Sequence, residues 1–234
     1  MTATANERDL AEILTAAGVN ATLAARLAAY GALLLDANRR TNLTGAKDAA
    51  GLAAHLLDSL SLLSDITGRL VDIGSGGGLP GIPLAIATGF EVLLIEAVAK
   101  KAAFLGRALH ELGLAGAVAA GRAETLAHEP RYREQFAVAT ARAVATAPGV
   151  AELAVPFLRI GGRALLQRGA LDPAERRAVE DAAPMLGARF VEERPLEGGR
   201  RILILEKTAP TPVRFPRRVG MAQKRPLCLI PAAR

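Results

Sequence analysis

Tryptophan is absent from this chain of 234 residues, and aromatic side chains make up only 3% of it. Recognition of nucleobases by rows of stacked aromatic rings is therefore not advertised. A single cysteine, Cys228, excludes a disulfide framework or a cysteine-rich zinc site. It fits a reducing cytoplasm, where the protein is expected. No apolar stretch approaches the roughly 18–20 residues that a membrane span needs. The start, Met1-Thr2-Ala3-Thr4-Ala5-Asn6-Glu7, lacks the basic region and long apolar run of a signal peptide. Neither a membrane nor a metal is expected as a partner, and the protein is expected to be a monomer.

Acidic residues are missing altogether from Arg214 onward, where six basic ones stand: Arg214, Arg217, Arg218, Lys224, Arg225 and Arg234. The chain holds 29 Lys+Arg and 23 Asp+Glu, so removing six basic residues leaves 23 of each sign in residues 1–213. The whole net charge of +6 thus lies in residues 214–234. A solvated tail is the bland reading of such a run. Phe215-Pro216 and Pro226-Leu227 read instead as an ordered arm, and an arm of this charge favours a polyanion such as RNA.

What is present is ordinary for a folded chain, with 51% hydrophobic and 22% charged residues. The length suits one α/β domain with a small appendage. Residues 6–64 read as helices. Asn6 is a candidate N-cap for a first helix carrying Leu10, Ile13, Leu14 and Ala17 at helical spacing. Asn20 caps a second, with Leu23, Leu27, Tyr30 and Leu34 on one face, ending near Asn38. A third spans Ala49–Ser64, with Leu52, Leu56, Leu60 and Leu63 inward.

From Arg69 the period changes. Apolar runs at Leu70–Ile73, Val92–Ile95, Ala117–Ala120, Phe136–Thr140 and Arg163–Gln167 alternate with helical segments such as Pro83–Thr88 and Lys100–Leu112. That alternation predicts a parallel sheet with right-handed crossovers. The stretch Val155–Gly162 reads as a helix end closed by a glycine turn. A helix at Pro173–Leu186 and two strands, Arg189–Arg194 and Arg201–Glu206, complete the chain, with Glu197-Gly198-Gly199 joining the strands as a hairpin. A mostly parallel sheet closed by an antiparallel edge hairpin is the outline of the class I methyltransferase fold.

Gly74-Ser75-Gly76-Gly77-Gly78-Leu79-Pro80-Gly81 follows the first strand. Glycines there let backbone N–H groups approach a ligand closely, and the next helix aims its positive end at the same place. Gly76, Gly78 and Gly81 satisfy G-x-G-x-x-G, and Glu96 lies 20 residues after Gly76, so spacing alone also admits a dinucleotide. Three features favour S-adenosylmethionine. Asp72 at the strand tip suits the ammonium of an amino-acid moiety, Pro80 and Pro83 occupy the first helical turns, and no second mononucleotide half follows. Glu96 can accept both hydroxyls of a ribose. Gly121-Arg122-Ala123-Glu124 stands where an adenine would lie, although a plain capping turn explains those residues equally well.

Absences narrow the reaction. Base-amine methylation usually needs an Asp/Asn-Pro-Pro-aromatic turn after the fourth strand, and here that position reads Thr140-Ala141-Arg142-Ala143. Pyrimidine C5 chemistry needs a cysteine nucleophile, but Cys228 sits in the basic tail. Acceptors that are already nucleophilic remain, such as purine N7, which needs no general base. Catalysis is then alignment for in-line attack. Arg142 is the residue expected to matter for positioning, as a clamp on the donor carboxylate or on an RNA phosphate, with a structural salt bridge as the alternative. His55, Asp58 and Ser59 share one helix, which argues against a hydrolytic triad and for a tie between the helices and the glycine loop.

Taken together, these residues resemble the family of ribosomal RNA small-subunit methyltransferase G, also called glucose-inhibited division protein B. The resemblance rests on Asn42-Leu43-Thr44, on His55-Leu56-Leu57-Asp58-Ser59-Leu60, and on Val71-Asp72-Ile73 with the glycine loop through Ile82-Pro83. Lys100-Lys101 with Phe104-Leu105, Gly121-Arg122-Ala123-Glu124, Thr140-Ala141-Arg142-Ala143 and Phe215-Pro216-Arg217-Arg218 extend it over nearly the whole chain. The chain departs from the family's habit at Ala99, Phe215 and Ala222, where glycine, tyrosine and proline are common. The resemblance implies methyl transfer from S-adenosylmethionine, leaving S-adenosylhomocysteine, to N7 of one guanine of small-subunit rRNA, guanine 527 of the 16S molecule. It implies donor contacts at Gly74, Leu79, Glu96, Ala97, Ala123, Glu124 and Arg142, to which the residues themselves add Asp72, Gly76 and Gly78.

The expected organisation is a helical subdomain (1–64), a donor-binding class I methyltransferase domain (65–213) and a basic arm (214–234). Lys100, Lys101, Arg214, Arg217, Arg218, Lys224 and Arg225 are candidate contacts to rRNA or the 30S particle. Removing the arm is expected to weaken RNA binding and to leave donor affinity unchanged. Two alternatives stay open: a methyltransferase of the same fold acting on a small molecule or protein, and a non-catalytic ribosome-associated RNA-binding protein with a relic donor pocket.

Overall fold

Thr4 starts the first helix. Its hydroxyl accepts from the Glu7 N–H at 3.2 Å and its own N–H donates to Glu7 Oε2 at 3.4 Å, a reciprocal capping box. Helix α1 therefore runs Ala5–Ala16, and Asn6, expected as the cap, lies inside its first turn. Asn20 does cap α2 (Ala21–Asn38), accepting from the Thr22 and Leu23 N–H groups. Leu27, Tyr30 and Leu34 are buried on its inner face. The computed structural model describes residues 4–142 and 144–229; Ala143 and Arg234, named above in the sequence motifs, lie outside the described residues.

Helix α3 (Ala49–Leu60) is shorter than expected. After it the Ser61 hydroxyl donates to the Asp58 carbonyl at 2.6 Å, and the chain tightens into a 3-10 turn at Leu63–Asp65. That change of pitch puts Leu62 in the core and turns Leu63, expected inward, to solvent.

The remaining elements are β1 (Leu70–Ile73), α4 (Gly81–Thr88), β2 (Val92–Glu96), α5 (Ala99–Glu111), β3 (Gly116–Ala120), α6 (Ala123–Leu126), β4 (Phe136–Arg142), α7 (Ala147–Ala154), β5 (Leu158–Arg168), α8 (Pro173–Met185), β6 (Ala188–Pro195), β7 (Arg201–Lys207) and α9 (Met221–Lys224). The seven strands form one sheet in the order β3-β2-β1-β4-β5-β7-β6. Pairs β2/β3, β1/β4 and β4/β5 are parallel, whereas β7 runs antiparallel to both β5 and β6. The expected antiparallel hairpin is present, with β7 inserted beside β5.

Strand β5 corrects one expectation. Instead of a helix ending in a glycine turn, a 3-10 turn at Val155–Phe157 leads into a strand that starts at Leu158. Its register against β4 jumps from Phe136↔Leu158 to Val138↔Arg163. The residues between form a bulge, in which Gly161 takes φ +80°.

The described residues group into two units, one comprising the chain up to Ile66 with Ser75–Ala120, the other Thr67–Gly74 with the chain from Gly121 onward. In the first, Asn38 holds the loop after α2: its side-chain oxygen accepts from Leu43 and Thr44 N–H, and its amide donates to the Thr44 and Ala46 carbonyls. That places the Leu43 carbonyl against Gly77, where an added Cβ would lie 2.9 Å from it and 2.9 Å from Leu34 Cδ1. In the second unit a fully buried Lys207 ammonium donates to Glu134 at 3.0 Å and to the Val155 carbonyl and Thr211 hydroxyl. Burial lowers the pKa of Lys207. Burial also pushes Glu134 up, but the Thr211 N–H and the Lys207 ammonium outweigh it, so its carboxyl is held below the ordinary 4.5.

Two outcomes are expected. Gly77→Ala forces either the Leu34 side chain or the Leu43 backbone to move, at a cost of about 1–3 kcal/mol. Calorimetry should then record a melting temperature lower by about 2–10 °C. Because the folded-state pKa of Glu134 is depressed, its contribution is present above about pH 4.5 and lost as the pH falls through the folded value. Urea titrations should accordingly lose stability below that pH in the wild type, and less steeply in Glu134→Gln.

Candidate methyl-donor site

In the first unit the glycine loop is pinned by its backbone. The Ser75 N–H donates to the Ile95 carbonyl at 2.9 Å and the Tyr30 hydroxyl to the Gly77 carbonyl at 2.7 Å. Glu96, at the end of β2 and only 7% exposed, uses both carboxylate oxygens: Oε2 accepts from the Gly76 N–H at 2.9 Å and Oε1 from the Val98 N–H at 2.7 Å. A carboxylate oxygen has a second lone pair, so these bonds orient Glu96 without exhausting it. Gly76 is half-buried, whereas Gly78 and Leu79 are buried. The Gly78 N–H is engaged by the Ser75 carbonyl and its own carbonyl accepts from the Ile82 N–H. Ala97 and Lys100 are exposed on the turn into α5 and its first residues, with Lys101 half-buried. Lys100 lines a cavity of about 380 Å³ together with Arg40, Phe104 and Arg107.

In the second unit Asp72, 1% exposed, accepts from the Thr140 hydroxyl at 2.8 Å across its register partner on β4. Gly74 is exposed with φ +68°, and the Val144 side chain lies so close that a Cβ on Gly74 would meet it at 3.0 Å. Ala123 and Glu124 open the short helix α6, both buried. Glu124 Oε1 accepts from the Gly220 N–H at 2.9 Å. Arg142 ends β4 opposite Gln167 and is half-buried.

Between Thr211 and Arg225 the C-terminal segment is bonded into this unit. Arg217 donates to Glu152, which is fully buried on α7, through its backbone N–H at 2.7 Å and its guanidinium at 2.6–3.1 Å. Its charge is spent inward, unlike those of Arg214, Arg218, Lys224 and Arg225, which are exposed. Phe215 and Ala222, two of the departures from the family's habit, are core residues at 3% and 1% exposure. Cys228 is exposed, and burial followed by the charge of Asp181 pushes its thiol up, away from the nucleophilic thiolate.

Sequence reasoning missed the roles of Tyr30, Asn38 and Glu152. Tyr30 and Glu152 act on residues 47 and 65 positions away, and no local pattern carries that. Asn38 was visible as a helix end, and its role follows from the Asn42-Leu43-Thr44 loop it bonds. Ser59 Oγ donates to the His55 carbonyl of its own helix at 2.8 Å, so its hydroxyl proton is engaged by backbone. Among the described residues no three His, Cys, Asp or Glu side chains are grouped to hold a metal, and no helix is long and apolar enough to cross a membrane.

Comparison with solved structures finds the same fold at low sequence identity. A geranyl diphosphate methyltransferase, solved with geranyl diphosphate and sinefungin, superposes with a TM-score of 0.54 at 15% identity, over 70% of this chain and 81% of that one. A mutant of MtNAS in complex with S-adenosylmethionine superposes with a TM-score of 0.52 at 19% identity, over 86% and 84%. At such identities the likeness speaks for the fold alone. Sequence relatives are nearer. The ribosomal RNA small subunit methyltransferase G of Rubrobacter xylanophilus is 46% identical over 211 residues, which is 84% of this chain and 81% of the relative. That of Dehalococcoides mccartyi is 41% identical over 83% of this chain and 87% of its own, and that of Synechococcus elongatus 41% over 83% and 86%. The family model for rRNA small subunit methyltransferase G matches residues 23–203. With its strand order, glycine loop and acidic strand tips in place, the chain belongs to the rRNA small subunit methyltransferase G family.

Proposed function

We propose that this protein transfers a methyl group from S-adenosylmethionine to N7 of a guanine of small-subunit rRNA, guanine 527 of the 16S molecule, by direct in-line attack. The observation that carries the reading is Glu96, a buried carboxylate oriented by the glycine loop's own backbone. The donor is cationic at its sulfonium and ammonium. Buried acids at the end of β2 (Glu96), within the end of β1 (Asp72) and on the turn after β3 (Glu124) suit it in sign. When bound, it supplies an electrophilic methyl group. Glu96 then accepts the ribose hydroxyls, Asp72 faces the amino-acid ammonium, and Ala123 and Glu124 read the adenine. Gly74, Gly76, Gly78, Leu79 and Ala97 line the donor's path, and Arg142 positions its carboxylate or the RNA backbone.

The acceptor follows from chemistry. Guanine N7 carries a free lone pair and loses no proton on methylation, so the protein's task is alignment. Cys228 stands exposed in the C-terminal segment, and its raised pKa disfavours the thiolate that a covalent route needs. The name shared by the relatives points to small-subunit rRNA. Exposed Arg214, Arg218, Lys224 and Arg225, with Lys100 and Lys101, supply phosphate contacts, free or within the 30S particle. Arg217 supports that surface from within.

Labelled methyl groups are expected in small-subunit rRNA and not in free amino acids or total protein; label in protein alone would reverse the substrate assignment. Glu96→Gln should weaken donor binding by about tenfold or more, read by calorimetry, because a charged acceptor is lost. The rate at saturation should be flat between about pH 6 and 9, since no general base titrates in the mechanism. Replacing Arg218 or Lys224 by alanine should lower the salt slope of RNA binding by about one unit each.

A further inference from the structure

Charge alone left residues 214–234 as a solvated tail or an arm for RNA. The contacts made by this segment point elsewhere. From Thr211 to Arg225 it is fastened to the second unit by side chains from three elements or turns. Arg133 donates to the Thr211 and Phe215 carbonyls at 2.7 and 3.0 Å. His128 Nε2 lies 2.9 Å from the Pro216 carbonyl. Glu152, fully buried, takes the Arg217 guanidinium and N–H, and the same guanidinium reaches the Arg225 carbonyl at 2.8 Å. A buried carboxylate losing this cation would be strongly destabilised, so this clamp holds the segment in one place.

What the clamped segment presents is specific. The chain turns at Gly220, with φ +81°, so that the Gly220 N–H donates to Glu124 Oε1 at 2.9 Å. One turn later Gln223 Nε2 donates to the Val144 carbonyl at 3.3 Å. Val144 lies two residues after Arg142, and its side chain packs on Gly74 at the tip of β1. Between these two bonds the Ala222 carbonyl sits so close to Gly149 of α7 that an added Cβ would approach it to 2.6 Å. The segment thus touches the adenine turn directly, and it reaches the ends of β4 and β1 through Val144.

We propose that the C-terminal strap, residues 214–225, is a positioning element of the methyl-donor site, in which the Gly220 N–H orients Glu124 and the Gln223 amide fixes Val144 against Gly74. The proposal rests on the reading of Glu124 as an adenine contact. An unoriented carboxylate must be ordered at the moment of binding, which weakens affinity. Strap and donor therefore stabilise one another, and loosening the strap raises the donor concentration needed without altering the chemical step.

The test uses the full chain with S-adenosylmethionine as the probe. Gln223→Ala removes one strap bond without burying a charge. A double variant, Glu152→Leu with Arg217→Met, releases the clamp while leaving no unpaired buried charge. Calorimetry should give a donor dissociation constant about tenfold higher for the double variant, with the donor KM raised in parallel. The kcat with donor and rRNA both saturating should stay within about twofold, a split that general destabilisation does not produce. Hydrogen exchange at the Gly220 amide reports release of the strap. Faster exchange with an unchanged donor constant overturns the proposal while leaving the donor reading intact. Wild-type protein that fails to bind the donor overturns the donor reading and the proposal with it. Should the double variant not fold, Gln223→Ala decides alone, with an unchanged donor constant counting against the strap.

Discussion

The hydrogen bond from the Gly76 N–H to Glu96 is the constraint around which the first unit is arranged. Five glycines within eight residues carry no side chains that could hold a loop in shape, and ordering them costs more backbone entropy than any other composition would. The loop is therefore held through its backbone by residues that lie elsewhere in the chain: Glu96 on Gly76, Ile95 on Ser75, Tyr30 on Gly77. Each of these partners needs a scaffold of its own. Tyr30 is set by the buried face of α2, and Asn38 shapes the loop whose Leu43 carbonyl closes over Gly77. The helical N-terminus thereby serves the glycine loop.

The second unit solves a related problem with the same chemistry. Its buried carboxylates, Asp72, Glu124 and Glu152, each accept from a donor distant in sequence: the Thr140 hydroxyl, the Gly220 N–H and the Arg217 side chain. A buried charge without such a partner is costly, so each acid enforces the placement of the segment that satisfies it. This explains why the arginine-rich stretch from Arg214 to Arg225 is held in place. One of its cations is consumed by Glu152, its Phe215 and Ala222 fill core positions, and Arg214, Arg218, Lys224 and Arg225 are left outward as a basic surface.

Much of this was legible in the sequence. Strands β1 to β4 and the hairpin β6–β7 stand within a residue or two of their expected bounds, because apolar runs and glycine punctuation are local signals. The misplaced boundaries have physical reasons. A capping box competes with Asn6 as the start of α1, a side-chain bond from Ser61 ends α3 early, and a bulge lets β5 begin five residues ahead of its apolar run. In each case short-range hydrogen bonding or register overrode the hydrophobic period.

Sequence alone determined the fold class, the glycine loop with its acids at Asp72 and Glu96, and the family, because those depend on residue type at fixed spacing. Tertiary structure decided what each charge does. Arg217 and Arg218 are neighbours of identical chemistry in a basic run, yet one is committed to a buried acid 65 residues away and the other faces solvent. Glu124 is one acid in a capping turn until Gly220, 96 residues further on, gives it an orientation. Electrostatic and hydrogen-bond partners across such separations are set by packing, and packing is a property of the folded chain.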